Sequence, residues 1–375
     1  MKHILFLGQF PPPVHGVSVM NNFVRNSNLI KQEFSIDVID FKFSTSIQKL
    51  EKFSIEKVFK ALSYSFRILK TILTKKPELV YFTITPTGFG FYRDAFYVFL
   101  LKWFNIHIVL HLHGKGIKKN SGSFIKETLY QSVFNNTSVI CLSKTLSEDI
   151  KEIYKGQPFL IPNGITLHNK TELQKRMTKK TVIQILYVSN FIRNKGILVL
   201  VEALSILNKK GYNFNARLVG SPSDITVEML NKTIQESGID RVVTVVGPLY
   251  DDAKFKEYEN ADIFVFPTYN DAFGLVNLEA MQYKLPVIST DEGSIPDIVI
   301  DNETGFVVEK QNVTMLAEKI RILLEDEDLR IQMGAKGYER FLNNYTLQHF
   351  EVNMLKAFKT ILSVKKSGIH NQYQI

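Results

Sequence analysis

Short β-branched and apolar runs alternate with longer amphipathic stretches along this chain, and that alternation points to parallel sheets joined by crossover helices. It occurs in two blocks. In the first, strands are expected at His3–Leu7, Ser35–Asp40, Leu79–Ile84, His107–His111 and Val139–Leu142. In the second they are expected at Ile183–Val188, Asn215–Val219, Val242–Val246, Ile263–Phe266 and Pro286–Ser289. Asn163-Gly164 ends the first block, and His168 to Lys180 is polar, lysine-rich and without an apolar period, which reads as a linker. After Gly305-Phe306-Val307-Val308 the pattern is helical, over Met315–Glu325, Glu327–Asn343 and Leu347–Val364, and ends in a frayed polar tail. With 375 residues against about 100–200 per domain, two α/β units of similar architecture are the expectation.

Composition narrows the class. Hydrophobic residues make 45% and charged residues 22%, with a mean hydropathy of -0.03, so the chain is neither disordered nor collagen-like. The single cysteine, Cys141, cannot form an internal disulfide; within Ser138-Val139-Ile140-Cys141-Leu142 it reads as a buried, inert thiol, which fits a reducing compartment. Ile4-Leu5-Phe6-Leu7 is too short for a signal-peptide core and runs into Pro11-Pro12-Pro13. No run reaches the ~18–20 apolar residues of a spanning helix. The nearest, Ala95 to Leu112, is broken by Lys102, Asn105, His107 and His111.

The net charge of +9 is unevenly placed: residues 1–165 hold 21 Lys and Arg against 11 Asp and Glu. Lys49 to Lys76 carries eight of these cations and two Glu, with Phe53, Val58, Phe59, Leu62, Phe66, Leu69, Ile72 and Leu73 at spacings of three and four. That is a basic amphipathic helix. It either packs on the first sheet with a solvated basic face or rests on an anionic membrane surface. Lys115, Lys118 and Lys119 extend the positive field. In the aromatic-rich stretch Phe89, Phe91, Tyr92, Phe96, Tyr97, Phe99, Trp103 and Phe104, most residues are expected in the core. A nucleic-acid partner is not expected, because the basic excess lies on an aliphatic amphipathic segment with no reader motif.

The run Pro267-Thr268-Tyr269-Asn270-Asp271-Ala272-Phe273-Gly274-Leu275-Val276-Asn277-Leu278-Glu279 follows an apolar strand and opens a helix near Gly274. Free N–H groups of Phe273, Gly274 and Leu275 would then face the strand's carboxyl end as an anion site. Asp271 stands on the preceding loop and Glu279 about a turn and a half inside the helix. One carboxylate is placed to meet a sugar and the other a ribose. The plainer alternative makes Asp271 a charge favoured by the helix dipole and Glu279 a solvated helix residue.

This run resembles the Glu-x7-Glu signature of the retaining family-four glycosyltransferases (glycosyl transferases group 1) of GT-B fold, a group that includes many bacterial polysaccharide enzymes. Further matches keep the family's order. They are the loop Gly8-Gln9-Phe10-Pro11-Pro12-Pro13-Val14-His15-Gly16-Val17, then His111-Leu112-His113-Gly114, Ile161-Pro162-Asn163-Gly164 and Ser189-Asn190-Phe191-Ile192-Arg193-Asn194-Lys195-Gly196. The stretch Gly247 to Pro267, Gly293-Ser294-Ile295-Pro296-Asp297 and Asn302-Glu303-Thr304-Gly305-Phe306 follow.

The resemblance implies two Rossmann-like α/β domains facing each other across a deep cleft: an acceptor-binding domain over 1–165, a linker over 166–180, and a nucleotide-sugar-binding domain over 181–345. Residues 346–375 would be a helix packed back on the first domain, with its frayed tail. It implies a donor such as a UDP-sugar or GDP-sugar, a saccharide acceptor, possession of no cofactor and no metal site, and a place in capsule or lipopolysaccharide synthesis. The acceptor would be lipid-linked and the enzyme cytoplasmic, peripheral at the inner face of the cell membrane.

By the same resemblance, Glu279 accepts the ribose hydroxyls and Lys195 meets the pyrophosphate, helped by amides of Phe273, Gly274 and Leu275. A departing diphosphate needs its growing charge held, and a lysine with helix N-terminal amides suits that chemistry. Gly16 lets backbone approach a phosphate or the acceptor. His113 resembles the histidine that touches the donor hexose near the reacting centre, and His111 reads as a satisfied core residue. His15 and Lys115 are candidates for acceptor contact. Two positions depart from the pattern: Asp271 stands where Glu is usual, and Asn190 where Arg is usual. Arg193 either replaces the missing cation or is only solvated. Asp251-Asp252 reads as a helix N-cap and first turn, and no His/Cys cluster has zinc spacing. Two other readings stay open, a nucleotide-sugar 2-epimerase on the same fold and a non-catalytic sugar-nucleotide-binding subunit.

Overall fold

The structure, a computed structural model, describes residues 1–12, 14–42, 55–168 and 182–367. Pro13, the basic residues at 49–54, the linker residues after His168 and the tail beyond 367 lie outside the described residues. The chain divides into two units, Met1–Asn163 with Leu347–Ile375, and Gly164–Thr346. Both are α/β with a parallel sheet.

The first unit holds β1 (Lys2–Gly8), β2 (Phe34–Asp40), β3 (Leu79–Ile84), β4 (His107–Leu112), β5 (Ser138–Cys141) and β6 (Phe159–Leu160) in the order β2-β1-β3-β4-β5-β6. The second holds β7 (Ile183–Val188), β8 (Phe214–Val219), β9 (Val243–Gly247), β10 (Ile263–Phe266), β11 (Val287–Thr290) and β12 (Gly305–Val308) in the order β12-β11-β10-β7-β8-β9. Each sheet starts in its interior and is wound both ways, which leaves a switch point where two neighbouring strands send their chains to opposite sides. The edge strands β6 and β12 were not among the expected strands: β6 has two residues, too few to show a period, and Gly305–Val308 served only as the boundary of the helical stretch that follows.

Apolar faces of helices cover both sides of the first sheet. On one side, Tyr64, Ile68 and Ile72 of helix Ile55–Lys75 and Phe91, Ala95, Val98 and Leu101 of helix Gly88–Trp103 pack on Leu5, Leu7, Val80 and Phe82. On the other, Phe350, Met354, Phe358 and Ile361 of helix Leu347–Ser367, spaced by four, four and three residues, join Ile4, Phe6, Tyr81 and Val109. Cys141 is buried, and burial pushes its thiol up to about 12, so it stays protonated.

The aromatic stretch differs from expectation. Phe91 and Tyr97 are in the core and Phe104 packs at its edge, but Phe89, Tyr92, Phe96, Phe99 and Trp103 are exposed. Phe59, Leu62, Phe66 and Leu73 of the basic helix are exposed as well. A helix beside a single sheet buries one stripe, and here residues 91, 95, 98 and 101 take that place and turn the other stripe outward.

Candidate functional site

In the second unit the switch point lies between β7 and β10. The loop after β7 ends in the 3₁₀ turn Arg193–Lys195 and then Gly196, whose φ is +79. A Cβ on Gly196 would lie 1.9 Å from the Pro267 carbonyl oxygen, so only glycine lets the two loops meet. Asn194 O accepts from the Tyr269 backbone N at 2.9 Å and from Thr268 Oγ1 at 3.2 Å. These contacts carry Lys195 Nζ to Asp271 Oδ2 at 2.6 Å and to Asn270 O at 2.9 Å. The ion pair is about one-fifth exposed on each side, so it is partly shielded and still reachable.

Helix Leu275–Gln282 opens after Gly274, which takes φ +76 as its N-cap. The amides ahead of it are not free, contrary to the expectation: Asp271 Oδ1 accepts from Phe273 N at 3.0 Å and Gly274 N at 2.8 Å. An aspartate two or three residues before an N-terminus has the length to close this turn on itself. Leu275, the first helical residue, has no helical acceptor for its N–H. Behind the loop, Glu292, 2% exposed, accepts from Asp271 N at 3.2 Å and pairs with Lys310 Nζ at 3.2 Å. Sequence reasoning missed Glu292 and Lys310, which carry no spacing signal.

Glu279 is not a solvated helix residue. Its Oε1 accepts from Lys254 Nζ at 2.7 Å and its Oε2 from Tyr258 OH at 2.8 Å. Both donors stand on helix Asp251–Asn260, four residues apart and so on one face. The N-cap of that helix is Tyr250; Asp251 and Asp252 form its first turn and do not cap it. Asn190 and Arg193 are exposed, and the Arg193 backbone N is held by Asp224 at 3.0 Å.

In the first unit, His15 caps helix Gly16–Asn26: its Nδ1 accepts from Ser18 N at 3.3 Å, while Ser18 Oγ accepts from His15 N at 3.0 Å. Gly16 is the exposed first residue of that helix. His113 follows β4 and is buried, with neither ring nitrogen bonded among the described residues. Its ring lies 4.0 Å from that of His111, whose Nδ1 meets Tyr81 OH at 2.6 Å. His111 is therefore the core histidine expected, with one nitrogen satisfied and Nε2 unbonded. Burial, and after it the neighbouring His15, pushes His113 down to about 3; burial lowers His15, and burial followed by His113 puts His111 well below its usual value. All three rings are neutral at physiological pH. Lys115 is half-buried on the next loop, where the Asp149 carboxylate fastens the N–H groups of Gly116, Ile117 and Lys118 at 2.7, 2.9 and 3.1 Å.

Solved structures match this architecture across both units. A glycosyltransferase of Rickettsia africae ESF-5 aligns with a TM-score of 0.78 at 22% identity over 96% of this chain and 99% of that one. Alr3699/HepE of Anabaena, solved in complex with UDP, aligns with a TM-score of 0.76 at 17% identity over 96% and 100%. The fold is GT-B. In sequence the chain is 30% identical over 249 residues to the capsular polysaccharide biosynthesis glycosyltransferase CapM of Staphylococcus aureus. That alignment covers 62% of this chain and 63% of the relative, so it spans less than two thirds of the relative's length. Residues 169–340, which hold Lys195, Asp271 and Glu279, match the family described as Glycosyl transferases group 1, and this chain carries a domain of that family.

Proposed function

We propose that the chain is a retaining glycosyltransferase that moves a hexosyl or N-acetylhexosaminyl unit from a nucleoside diphosphate sugar to a saccharide acceptor in cell-surface polysaccharide synthesis. The observation that carries this reading is the Lys195–Asp271 pair at the switch point of the second sheet, with the braced carboxylate of Glu279 in the helix that follows Asp271. A diphosphate would take the Lys195 ammonium and the Leu275 N–H, and the ribose hydroxyls would take Glu279. A UDP-sugar is the favoured donor, as in the neighbour solved with UDP, and a GDP-sugar is the other option. The anomeric carbon–phosphate oxygen bond breaks and the acceptor oxygen bonds the same face, while its proton passes to the departing phosphate. No side-chain nucleophile and no metal enter this scheme. In the first unit, neutral His113 is proposed to hydrogen-bond a sugar hydroxyl, and Gly16, His15 and Lys115 to meet the acceptor.

The test is a panel of UDP- and GDP-sugars given to the purified protein with and without a lipid diphosphate saccharide, the product anomer being read by NMR. Transfer with the donor's anomeric configuration is expected. Epimerised donor without acceptor would replace this reading by the epimerase, and binding without turnover by the non-catalytic subunit.

We further propose that the enzyme works at the anionic inner face of the cell membrane on a lipid-linked acceptor. No described helix is long and apolar enough to cross a membrane. In support, Phe89, Tyr92, Phe96, Phe99 and Trp103 are exposed at spacings of three and four along one helix, and Phe59, Leu62, Phe66 and Leu73 repeat the pattern on the basic one. Exposed Arg67, Lys70 and Lys75 stand among them, each cation near anionic lipid being worth about 1 kcal/mol. Trp103 is the only tryptophan and is 88% exposed, so its fluorescence reports this surface alone. Its emission is expected to shift to the blue on vesicles containing anionic lipid, and to stay unshifted with Arg67, Lys70 and Lys75 reversed to Glu. An unshifted wild-type spectrum would leave the surface merely basic, with the transferase reading intact.

A further inference from the structure

The brace around Glu279 is uneven. Tyr258 is fully buried, its ring stacked on Tyr283 at 5.7 Å between centroids, so its hydroxyl holds Oε2 from the protein side. Lys254 is on the open side, with 22% of its side chain exposed against 17% for Glu279, and its Nζ lies 5.0 Å from the centre of the Phe255 ring. An ammonium has three N–H groups, and one of Lys254's is directed at Oε1. A donor and an acceptor thus stand side by side at the solvent edge, 2.7 Å apart. A hydroxyl group both gives and takes a hydrogen bond, so it satisfies this pair in a way that neither a carbonyl nor a C–H can.

We infer that Lys254 forms, with Glu279, a two-sided cradle for one ribose hydroxyl of the donor nucleotide, and so sets the enzyme's discrimination of ribo- from deoxyribonucleotides. The carboxylate accepts from the hydroxyl hydrogen, and the ammonium donates to the hydroxyl oxygen. The inference rests on the reading of Glu279 as the ribose carboxylate and adds a second, cationic partner from a different helix. A nucleotide lacking the hydroxyl would leave both charged groups without it, which is how a polar site rejects an analogue that is only smaller.

Titration calorimetry of the full chain with UDP, 2′-deoxy-UDP and 3′-deoxy-UDP tests this, with the GDP series used where UDP does not bind. The wild type is expected to prefer the ribonucleotide over one of the deoxy analogues by about tenfold or more. Lys254→Met, which keeps the length of the stem, is expected to weaken ribonucleotide binding by about tenfold and leave that deoxy analogue nearly unchanged, collapsing the preference. Lys254→Arg should restore part of it. If Lys254→Met weakens all nucleotides equally, or changes none, Lys254 is only a structural ion-pair partner and the inference falls. Glu279→Ala separates the two levels: loss of the preference there, with Lys254→Met behaving as wild type, overturns the lysine's role alone. Unchanged ribonucleotide binding in Glu279→Ala overturns the ribose reading beneath it.

Discussion

Lys195→Ala and Glu279→Ala are each expected to lower kcat/KM with a nucleoside diphosphate sugar by roughly 30- to 150-fold, equivalent to about 2–3 kcal/mol of transition-state stabilisation. On the proposed function Lys195 would supply a charge that counts most as the diphosphate departs, so its loss should fall mainly on kcat. On the same proposal Glu279 would bind a part of the donor that does not react, so its loss should fall mainly on KM. Neither change should unfold the second unit, because both side chains are partly exposed and the core around them is built from other residues. Circular dichroism and thermal melts beside the kinetics check this. Wild-type turnover in either folded variant would sink the assignment.

Asp271 gives the second large effect, and the geometry sharpens what to expect. Its carboxylate closes the turn onto Phe273 N and Gly274 N with one oxygen and holds Lys195 with the other. In the proposed function an incoming diphosphate would compete with it for the lysine. Asp271→Asn keeps an oxygen for the turn but removes the charge, so UDP should bind at least as tightly as in the wild type while transfer falls by at least about 2 kcal/mol. A charge that served only the helix dipole would cost at most about 1 kcal/mol of stability and little activity. Asp271→Glu lengthens the side chain by one methylene to the residue usual in the family and is expected to stay partly active. Small, equal losses of binding and transfer in Asp271→Asn would place the residue outside the reaction.

The two-sheet plan was legible because strands buried on both faces read as apolar runs: Leu79–Ile84, Ile183–Val188 and Ile263–Phe266 stand where the pattern puts them. Asp271 and Glu279 were legible as carboxylates before and inside a helix that opens after an apolar strand, whereas Lys195 was legible only through the resemblance of Ser189–Gly196 to the family pattern. The partners of those groups were not. Lys254 reaches Glu279 across 25 positions of sequence and Glu292 reaches Asp271 across 21. Nothing in the local pattern of Asp251–Asn260 marks Lys254 or Tyr258 apart from their spacing of four.

The aromatic helix shows the same boundary. Its composition announced a large apolar surface, but residues 89, 92, 96, 99 and 103 and residues 91, 95, 98 and 101 are both helical stripes, and periodicity ranks neither above the other. The packing of helix Gly88–Trp103 on the first sheet chose the second stripe for the core and left the first outside. By itself, then, the sequence determined the α/β class, the two blocks and the loops that carry charge, because these follow from period and turn chemistry within one or two dozen residues. Tertiary structure alone decided that Asp271 meets Lys195, that Glu279 is braced by a lysine and a buried tyrosine, and which aromatic stripe faces out. The first two depend on the order in which parallel strands are laid side by side, which brings together residues far apart in the chain, and the third on which face of one helix the sheet takes.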